Sequence, residues 1–475
     1  MIRSGGMLTL ANGLSAVSSF VRNVIVARFI SVEDFGVAML FALTMSAIEM
    51  VSDLSIGKLL IQAKEGGREC FQSTAHTFQL IRAAVGGGLL FLFAEQVALI
   101  FKVPDASWAF QWLAFCLIMK GFSHLDIARY QREMKFLPLI WVGTLPQVLT
   151  LLLSAPLAIW LGDYRVTIYL LVLQTCTAVL LTHVFSTRKF MCEWDWVIVK
   201  KIYLFGWPLL LNSVFMFAIL QGDKAIVGSM LSMETLGWYG AAFSLTLAPA
   251  MLIIRVGQSV FLPVLSRTIE NSRQFENQLN ITMQFYILIG LLLCFFFTLF
   301  GADVLLLIFG EKYSKGMSVV VWLGLIQAVR ICKAGPVIVS LSIADTKNPM
   351  LSNIARGVAF FIAVGAVWNG YGVKELVIIG LAGEVGSLFT SNHLLAKRLK
   401  ISLIKHQFVA FTALILGIIL VFLEPLLVMD STPSTIILKV LVSVMFASFC
   451  LYLLPNAREK LFDLIAQRYV SKSKL

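Results

Sequence analysis

Apolar runs of about 20 residues recur from one end of the chain to the other, each long enough to cross about 30 Å of hydrocarbon as a helix. In lipid, every backbone amide and carbonyl must be satisfied within the segment or by closing a barrel, so this feature leaves few folds open. The runs predict about fourteen spans, beginning near Met7, Val37, Phe78, Trp108, Leu139, Val166, Trp207, Trp238, Ile281, Met317, Met350, Leu376, Gln407 and Thr435. Alternating Val/Thr/Tyr segments are absent, so a barrel is excluded and the expected class is an all-α integral membrane protein.

The first run is not a cleavable leader, because it extends over about 22 residues, lacks a small-residue cleavage site and contains Arg22. A 59% hydrophobic and 13% charged composition agrees with retention in an inner or plasma membrane. The net charge of +12 is a topology signal, not a nucleic-acid footprint. With a cytoplasmic N-terminus, the segments near 58–82, 124–138, 183–206, 264–280, 343–356, 393–407 and 455–475 collect most of the Lys and Arg, and the opposite loops hold few. Both termini are thereby expected in the cytoplasm. The external loops are too short for a catalytic domain. On the inner side, Trp194 to Phe205 reads as an amphipathic helix in the interface.

The chain repeats itself. Ile25 to Gly36 reads IVARFISVEDFG and Ile226 to Gly237 reads IVGSMLSMETLG. AEQVALIF at Ala94 to Phe101 is echoed by ADVLLLIF at Ala302 to Phe309, and a Trp-Leu pair follows each, at Trp112 and Trp322. The offsets, 201 to 210, keep their order and predict a six-helix unit duplicated in tandem. An even-numbered unit returns to its starting side, so its copy has the same orientation, with the two lobes pseudosymmetric about an axis along the membrane normal and a cavity expected between them. The expected organisation is an N-lobe over 1–193, an interfacial linker over 194–205, a C-lobe over 206–400, an added helix pair over 401–455 and a basic tail over 456–475. In the repeated corner, Ser31 or Ser232 is placed to cap the next helix, Glu33 or Glu234 suits its positive end, and Gly36 or Gly237 permits a tight start.

ARFISVEDFG, SDLSIGKLLIQ at Ser52 to Gln62, REMKF at Arg132 to Phe136 and FGEKY at Phe309 to Tyr313 together resemble the polysaccharide transporter (Wzx-type) flippases of the MOP superfamily. The resemblance covers essentially the whole chain, including the six-plus-six-plus-two layout. It implies translocation of an undecaprenyl-diphosphate-linked oligosaccharide from the inner to the outer leaflet of a bacterial inner membrane. It also implies functional partners among polysaccharide polymerases and chain-length proteins.

Ionised residues inside spans are costly and usually face a bundle interior or a wet cavity. Asn12, Ser15, Ser19 and Arg22 share one face of the first span, and Ser46, Glu49 and Asp53 share one of the second. Lys120 is expected near mid-membrane in the fourth span with His124 one turn on. Gln327, Arg330 and Lys333 line a face of the tenth, and the repeat maps Lys120 onto Arg330. A diphosphate suits such converging cations, since Arg grips it bidentately and Lys binds it as a point charge. Arg22, Lys224 and Arg255 join Lys120, Arg330 and Lys333 as candidates for the anionic head group. Glu49, Asp53, Asp223 and Glu384 are candidates for charge pairing or for coupling to H+ or Na+, and the energy source stays open. His76 and His124 read as interfacial polar residues. No cofactor or metal is expected, because the seven cysteines form no CxxC pair or Cys/His cluster. Pro146, Pro156, Pro208, Pro249, Pro263 and Pro336 are expected to kink spans, and Gly86 to Gly88 to mark close packing.

The expected function is a flippase working by alternating access, not an enzyme. A lipid II flippase and a drug exporter of the same superfamily remain alternatives. A membrane-embedded polymerase or ligase would need an external catalytic loop that this chain lacks.

Overall fold

The computed structural model describes residues 2–52 and 54–400, all of whose regular structure is helical. Twelve long helices correspond to the first twelve predicted spans. They are α1 (Ile2–Phe29), α2 (Val32–Ser52), α4 (Glu69–Leu92), α6 (Ser107–Gly121), α8 (Leu137–Leu161), α9 (Arg165–Val184), α10 (Trp196–Met230), α11 (Met233–Thr268), α12 (Ser272–Phe309), α13 (Met317–Ser342), α14 (Lys347–Trp368) and α15 (Val373–Leu399). Three seven-residue helices, α3 (Ile56–Gln62), α5 (Ala94–Ile100) and α7 (Asp126–Arg132), lie in the connections. Among the described residues, eight helical segments are long and apolar enough to cross a membrane. The spans expected near Gln407 and Thr435, the helix pair over 401–455, the tail and Asp53 lie outside the described residues.

Contacts divide the chain into two compact units, one ending at Gly240 and one starting at Ala241, so the boundary falls inside α11. In the first unit, Ile56, Leu59, Leu60 and Phe71 pack with Ile198 and Ile202 of α10. Trp194 to Phe205 is not a separate interfacial helix: from Trp196 onward it forms the first turns of α10, which continues unbroken for 35 residues. Burial of Ile198 and Ile202 against α3 and α4 explains this, and Gly206 lets the helix press on Leu54, whose carbonyl oxygen a Cβ would meet at 2.5 Å. The opposite face, with Trp196, Val197, Tyr203 and Leu204, stays exposed. The second unit has its core at Leu265, Leu279, Met283, Tyr286, Ile331, Ile338, Val339 and Leu395.

The local start signals act as read. The backbone N–H of Asp34 donates to Ser31 Oγ (3.0 Å), and that of Thr235 donates to Ser232 Oγ (3.1 Å), capping α2 and α11. The glycines five positions after each serine do something else. A Cβ on Gly36 would lie 1.8 Å from the Met233 carbonyl oxygen, and one on Gly237 would lie 2.0 Å from that of Val32. The two copies of the repeated corner are therefore pressed against each other, and glycine is required by helix contact, not by the turn. Of Gly86 to Gly88, Gly87 is the packed one, with a Cβ there 2.8 Å from the Ala114 carbonyl oxygen. The six prolines lie inside α8, α10, α11 and α13.

Candidate functional site

In the first unit, Lys120 stands in the last turn of α6, which ends at Gly121, and not in the middle of a span as expected. Chain reversal through Phe122 to Leu125 stops the helix there, and its C-terminal carbonyls favour a cation. Its ammonium forms an ion pair with Glu49 of α2, and both side chains are 42% exposed. Next to them, Arg82 of α4 donates to the Ser52 carbonyl oxygen (3.2 Å). Glu49, Ser52, Arg82, Gly87, Lys120 and Ser213 line a cavity of about 330 Å³. Sequence reasoning missed Arg82 because a single Arg in a span of otherwise ordinary composition gives no periodic signal.

The polar face of α1 is spent on α8 and α9. Ser15 donates to Thr144 Oγ1 and Ser19 to Gln147 Oε1 (3.3 and 3.4 Å), and Arg22 donates to Gln174 Oε1 (2.6 Å) and Thr150 Oγ1 (3.3 Å). Thus Arg22 meets neutral oxygens in this network. Lys224 of α10 is buried and its Nζ donates to Gln221 Oε1 (2.9 Å), while Asp223 accepts the phenol of Tyr239 and the amide of Lys224. Arg255 is exposed on α11.

The second unit concentrates charge. Arg330 of α13 donates from Nε and Nη2 to Glu384 Oε1 of α15 (2.9 and 2.6 Å), and Arg356 of α14 lies 2.9 Å from the same oxygen. Lys333 Nζ donates to Asn353 Oδ1 (2.7 Å), which also accepts from Arg356 (3.3 Å). These side chains are almost wholly buried: Arg330 is 13% exposed, Arg356 10% and Glu384 4%. Arg356 and Asn353 were missed because they fall where the basic segment 343–356 overlaps the span expected from near Met350, so the charge of Arg356 was assigned to the loop; α14 starts at Lys347 and carries Arg356 into its third turn.

Lys120 and Arg330 occupy the same register, each fourteenth in its helix when counted from Ser107 and Met317. The offset of 210 that relates them also relates Glu384 to Gln174, the acceptor for Arg22.

The short motifs have structural roles. Arg132 of REMKF donates to the carbonyl oxygens of Leu60 (3.3 Å), Ala63 and Lys64 (3.2 Å), which satisfies the C-terminal end of α3 within SDLSIGKLLIQ. In FGEKY, Gly310 closes α12 at φ 98° and buried Tyr313 packs edge-on to Phe309 (5.6 Å between centroids).

His76 and His124 are not solitary. His76 and His124 are buried with ring centroids 4.8 Å apart, and His183 lies 5.4 Å from His124. His76 Nε2 accepts from the Leu125 amide (3.0 Å) and His124 Nδ1 from the Asp126 amide (3.1 Å), so the rings fasten the turn before α7 to α4. Burial pushes the His124 imidazole below its usual range. Burial alone would raise the Asp126 carboxyl, but Arg129 and the amides of Thr187 and Arg188 prevail and hold it well below the usual carboxylate range. Among the described residues, no group of three or more His, Cys, Asp or Glu is arranged to hold a metal ion.

The fold is that of known transporters. An inward-facing multidrug resistance MATE family transporter of the MOP superfamily superposes with a TM-score of 0.64 at 15% identity, over 83% of this chain and 98% of the other. The lipid II flippase MurJ, in an inward closed conformation, gives 0.64 at 13% identity over 94% and 97%. A Vibrio cholerae MATE transporter gives 0.55 at 12% identity over 84% and 97%. No curated protein matches the chain significantly. The model of the family described as "Polysaccharide biosynthesis protein" matches residues 25–318, more than half of the sequence, and the chain belongs to that family, with a MOP-superfamily transporter fold.

Proposed function

We propose that this protein is a flippase that moves an undecaprenyl-diphosphate-linked oligosaccharide from the inner to the outer leaflet of a bacterial inner membrane by alternating access. The observation that carries the reading is the register-matched pair of cations Lys120 and Arg330 in a polysaccharide biosynthesis protein on a transporter fold. The cargo has a diphosphate joined to a sugar on one side and a polyprenyl tail on the other. Cations supply the contacts that such a head needs when it leaves water, with Lys120, Arg330, Lys333, Arg22, Lys224 and Arg255 as its proposed ligands. Transport of this kind breaks no covalent bond, so no catalytic residue is assigned. In this reading the termini are cytoplasmic, and Glu49 and Glu384 are the internal counter-ions from which the head group takes over its cations.

A lipid II flippase is the second reading, favoured by the likeness to MurJ over 94% of this chain. Its cargo carries the same diphosphate, so the charges do not separate the two. Deleting the gene in its native host and quantifying lipid-linked glycans separates them. One complete repeat unit should accumulate on the cytoplasmic side, relieved by wild type and not by a well-expressed Lys120→Gln/Arg330→Gln double variant. Unchanged lipid-linked glycans with intact surface polysaccharide would overturn the proposal, and accumulation of the peptidoglycan precursor would move it to the second reading.

A further inference from the structure

The turn that follows Lys120 is fastened by side chains of the helices around it. Buried Gln79 of α4 donates its amide to the carbonyl oxygens of Lys120 (3.4 Å), Gly121 (2.9 Å) and Ser123 (3.1 Å). Three residues earlier on α4, His76 accepts the Leu125 amide through Nε2, and within the turn His124 accepts the Asp126 amide through Nδ1. From α9, Thr182 Oγ1 accepts the His124 amide (2.9 Å), and His183 Nε2 lies 2.8 Å from the Phe122 carbonyl oxygen. Two of these contacts depend on protonation. A neutral imidazole accepts through one nitrogen, and a second proton turns that nitrogen into a donor, so an imidazolium can hold neither the Leu125 nor the Asp126 amide. His183 faces a carbonyl oxygen, to which an imidazolium still donates.

We propose that His76 and His124 are positioning residues for Lys120 and form a proton-released catch: neutral, they hold the α6–α7 turn and with it the end of α6 that presents Lys120, and protonated, they let it go. Burial of both rings, their approach to each other at 4.8 Å and that of His183 to His124 at 5.4 Å oppose the second proton. Asp126 of α7 and the backbone oxygens of Met191, Arg188 and Lys189 favour it. The Asp126 carboxylate is itself engaged by Arg129 and by the amides of Thr187 and Arg188, and the Arg188 guanidinium is turned to Gln72, the Gly67 carbonyl and Glu69. Burial prevails at His124 and lowers its titration, so the catch is closed at neutral pH and opens as pH falls below the ordinary imidazole value of about 6.5. The catch stands on these contacts; its effect on transport rests on the flippase reading, which puts this turn in the cytoplasm and Lys120 on the head group.

The test is hydrogen exchange of the purified full-length protein in lipid nanodiscs, resolved to single amides by mass spectrometry at about pH 7.5 and about pH 5 and corrected for the intrinsic rate at each pH. An imidazole that titrates at about 6.5 once released favours the open turn by up to about thirtyfold at about pH 5. The Leu125 and Asp126 amides of wild type should lose protection on that scale, while Leu113, in the middle of α6, keeps its own. His76→Gln/His124→Asn, which leaves an acceptor oxygen at each position and cannot titrate, should hold both amides at both pH values. Either single variant should show a smaller loss than wild type, and His183→Gln the full loss. Unchanged protection of wild type between the two pH values, or an equal loss in the single and double variants, would overturn the catch. In the complemented deletion strain, acidifying the cytoplasm with sodium benzoate should bring back the accumulation of lipid-linked glycan with wild type and not with the double variant. Released amides with glycans indifferent to benzoate would overturn the link to transport. Glycans indifferent to the deletion itself would remove the flippase reading and leave the catch, since the exchange measurement needs no cargo.

Discussion

Replacing Gly36 with alanine puts one carbon where none fits. The added Cβ would lie 1.8 Å from the Met233 carbonyl oxygen, 2.7 Å from its carbon and 3.1 Å from the Gly237 nitrogen, while real Cβ contacts stay above 3.0 Å. Relief therefore demands a shift of about 1.2 Å (3.0 minus 1.8), and since the obstacle is backbone, no side chain can swing away. A gap of this size between packed surfaces forfeits about half of the dispersion attraction across it. Around the contact lie Phe35, Leu40, Leu236 and Tyr239, all buried, and Gly240, where a Cβ would already press on Met39 at 2.9 Å. Overpacking of this kind costs about 1–3 kcal/mol, against which alanine's better helix propensity returns up to about 1 kcal/mol. Gly36→Ala should therefore lower the unfolding midpoint of the purified protein, and so should Gly237→Ala. Because both insert into one contact, once the helices have separated the second alanine meets less resistance, and the double variant should cost less than the two singles added. Gly88→Ala, with open space around its Cβ, is the matched control and should be neutral or stabilising. Equal midpoints for Gly36→Ala and Gly88→Ala would refute the reasoning.

Three further outcomes follow from charge. Glu384→Gln takes from Arg330 and Arg356 the carboxylate they share, so an expression-level loss or a destabilisation of about 3–5 kcal/mol is expected in thermal unfolding, and Glu384→Gln/Arg330→Gln should recover part of it; no recovery would mean that charge is not the cause. Asp126 has its carboxyl held below the usual range, so its contribution is present above about pH 4, where the unfolded group ionises, and is lost as pH falls through the lower native value. Asp126→Asn should therefore be less stable at neutral pH, with the difference from wild type narrowing on acidification; a gap independent of pH would sink that account. Arg132→Gln removes the donors that satisfy the end of α3 and should expose the 60–68 turn to limited proteolysis with little change in the global midpoint, whereas an unchanged cleavage pattern would show the cap to be dispensable.

Helices were legible because their signal is local. A run of apolar residues states its own length, and Ser31 or Ser232 states where the next helix starts, so twelve long helices and both caps could be read one at a time. Boundaries failed where a helix runs on beyond its apolar stretch, as at Trp196 and Lys347, because hydropathy marks the solvent and not the hydrogen-bond ladder. That error hid Arg356. Partners were not legible at all, since pairing is a property of two helices. The polar face of α1 was read correctly as a face, but nothing in its spacing says that Thr144, Gln147 and Thr150 of α8 receive it.

The repeat sharpens this limit. The duplication keeps the two cations in register at Lys120 and Arg330, yet the carboxylates that answer them come from α2 and α15, which are not counterparts. At the offset that carries Arg330 back to Lys120, Glu384 is carried back to Gln174, an amide. Lys120 is thus left with a carboxylate in a half-open setting, at 42% exposure, while Arg330 at 13% is enclosed with a second guanidinium and an ammonium. The first pair is the more exposed of the two, and an exposed ion pair contributes less than an enclosed one. The second cluster is the more enclosed, and its two guanidiniums share one oxygen of Glu384. Equal register in the sequence repeat thus goes with unequal surroundings, a half-exposed ion pair in the first unit and an enclosed cluster in the second.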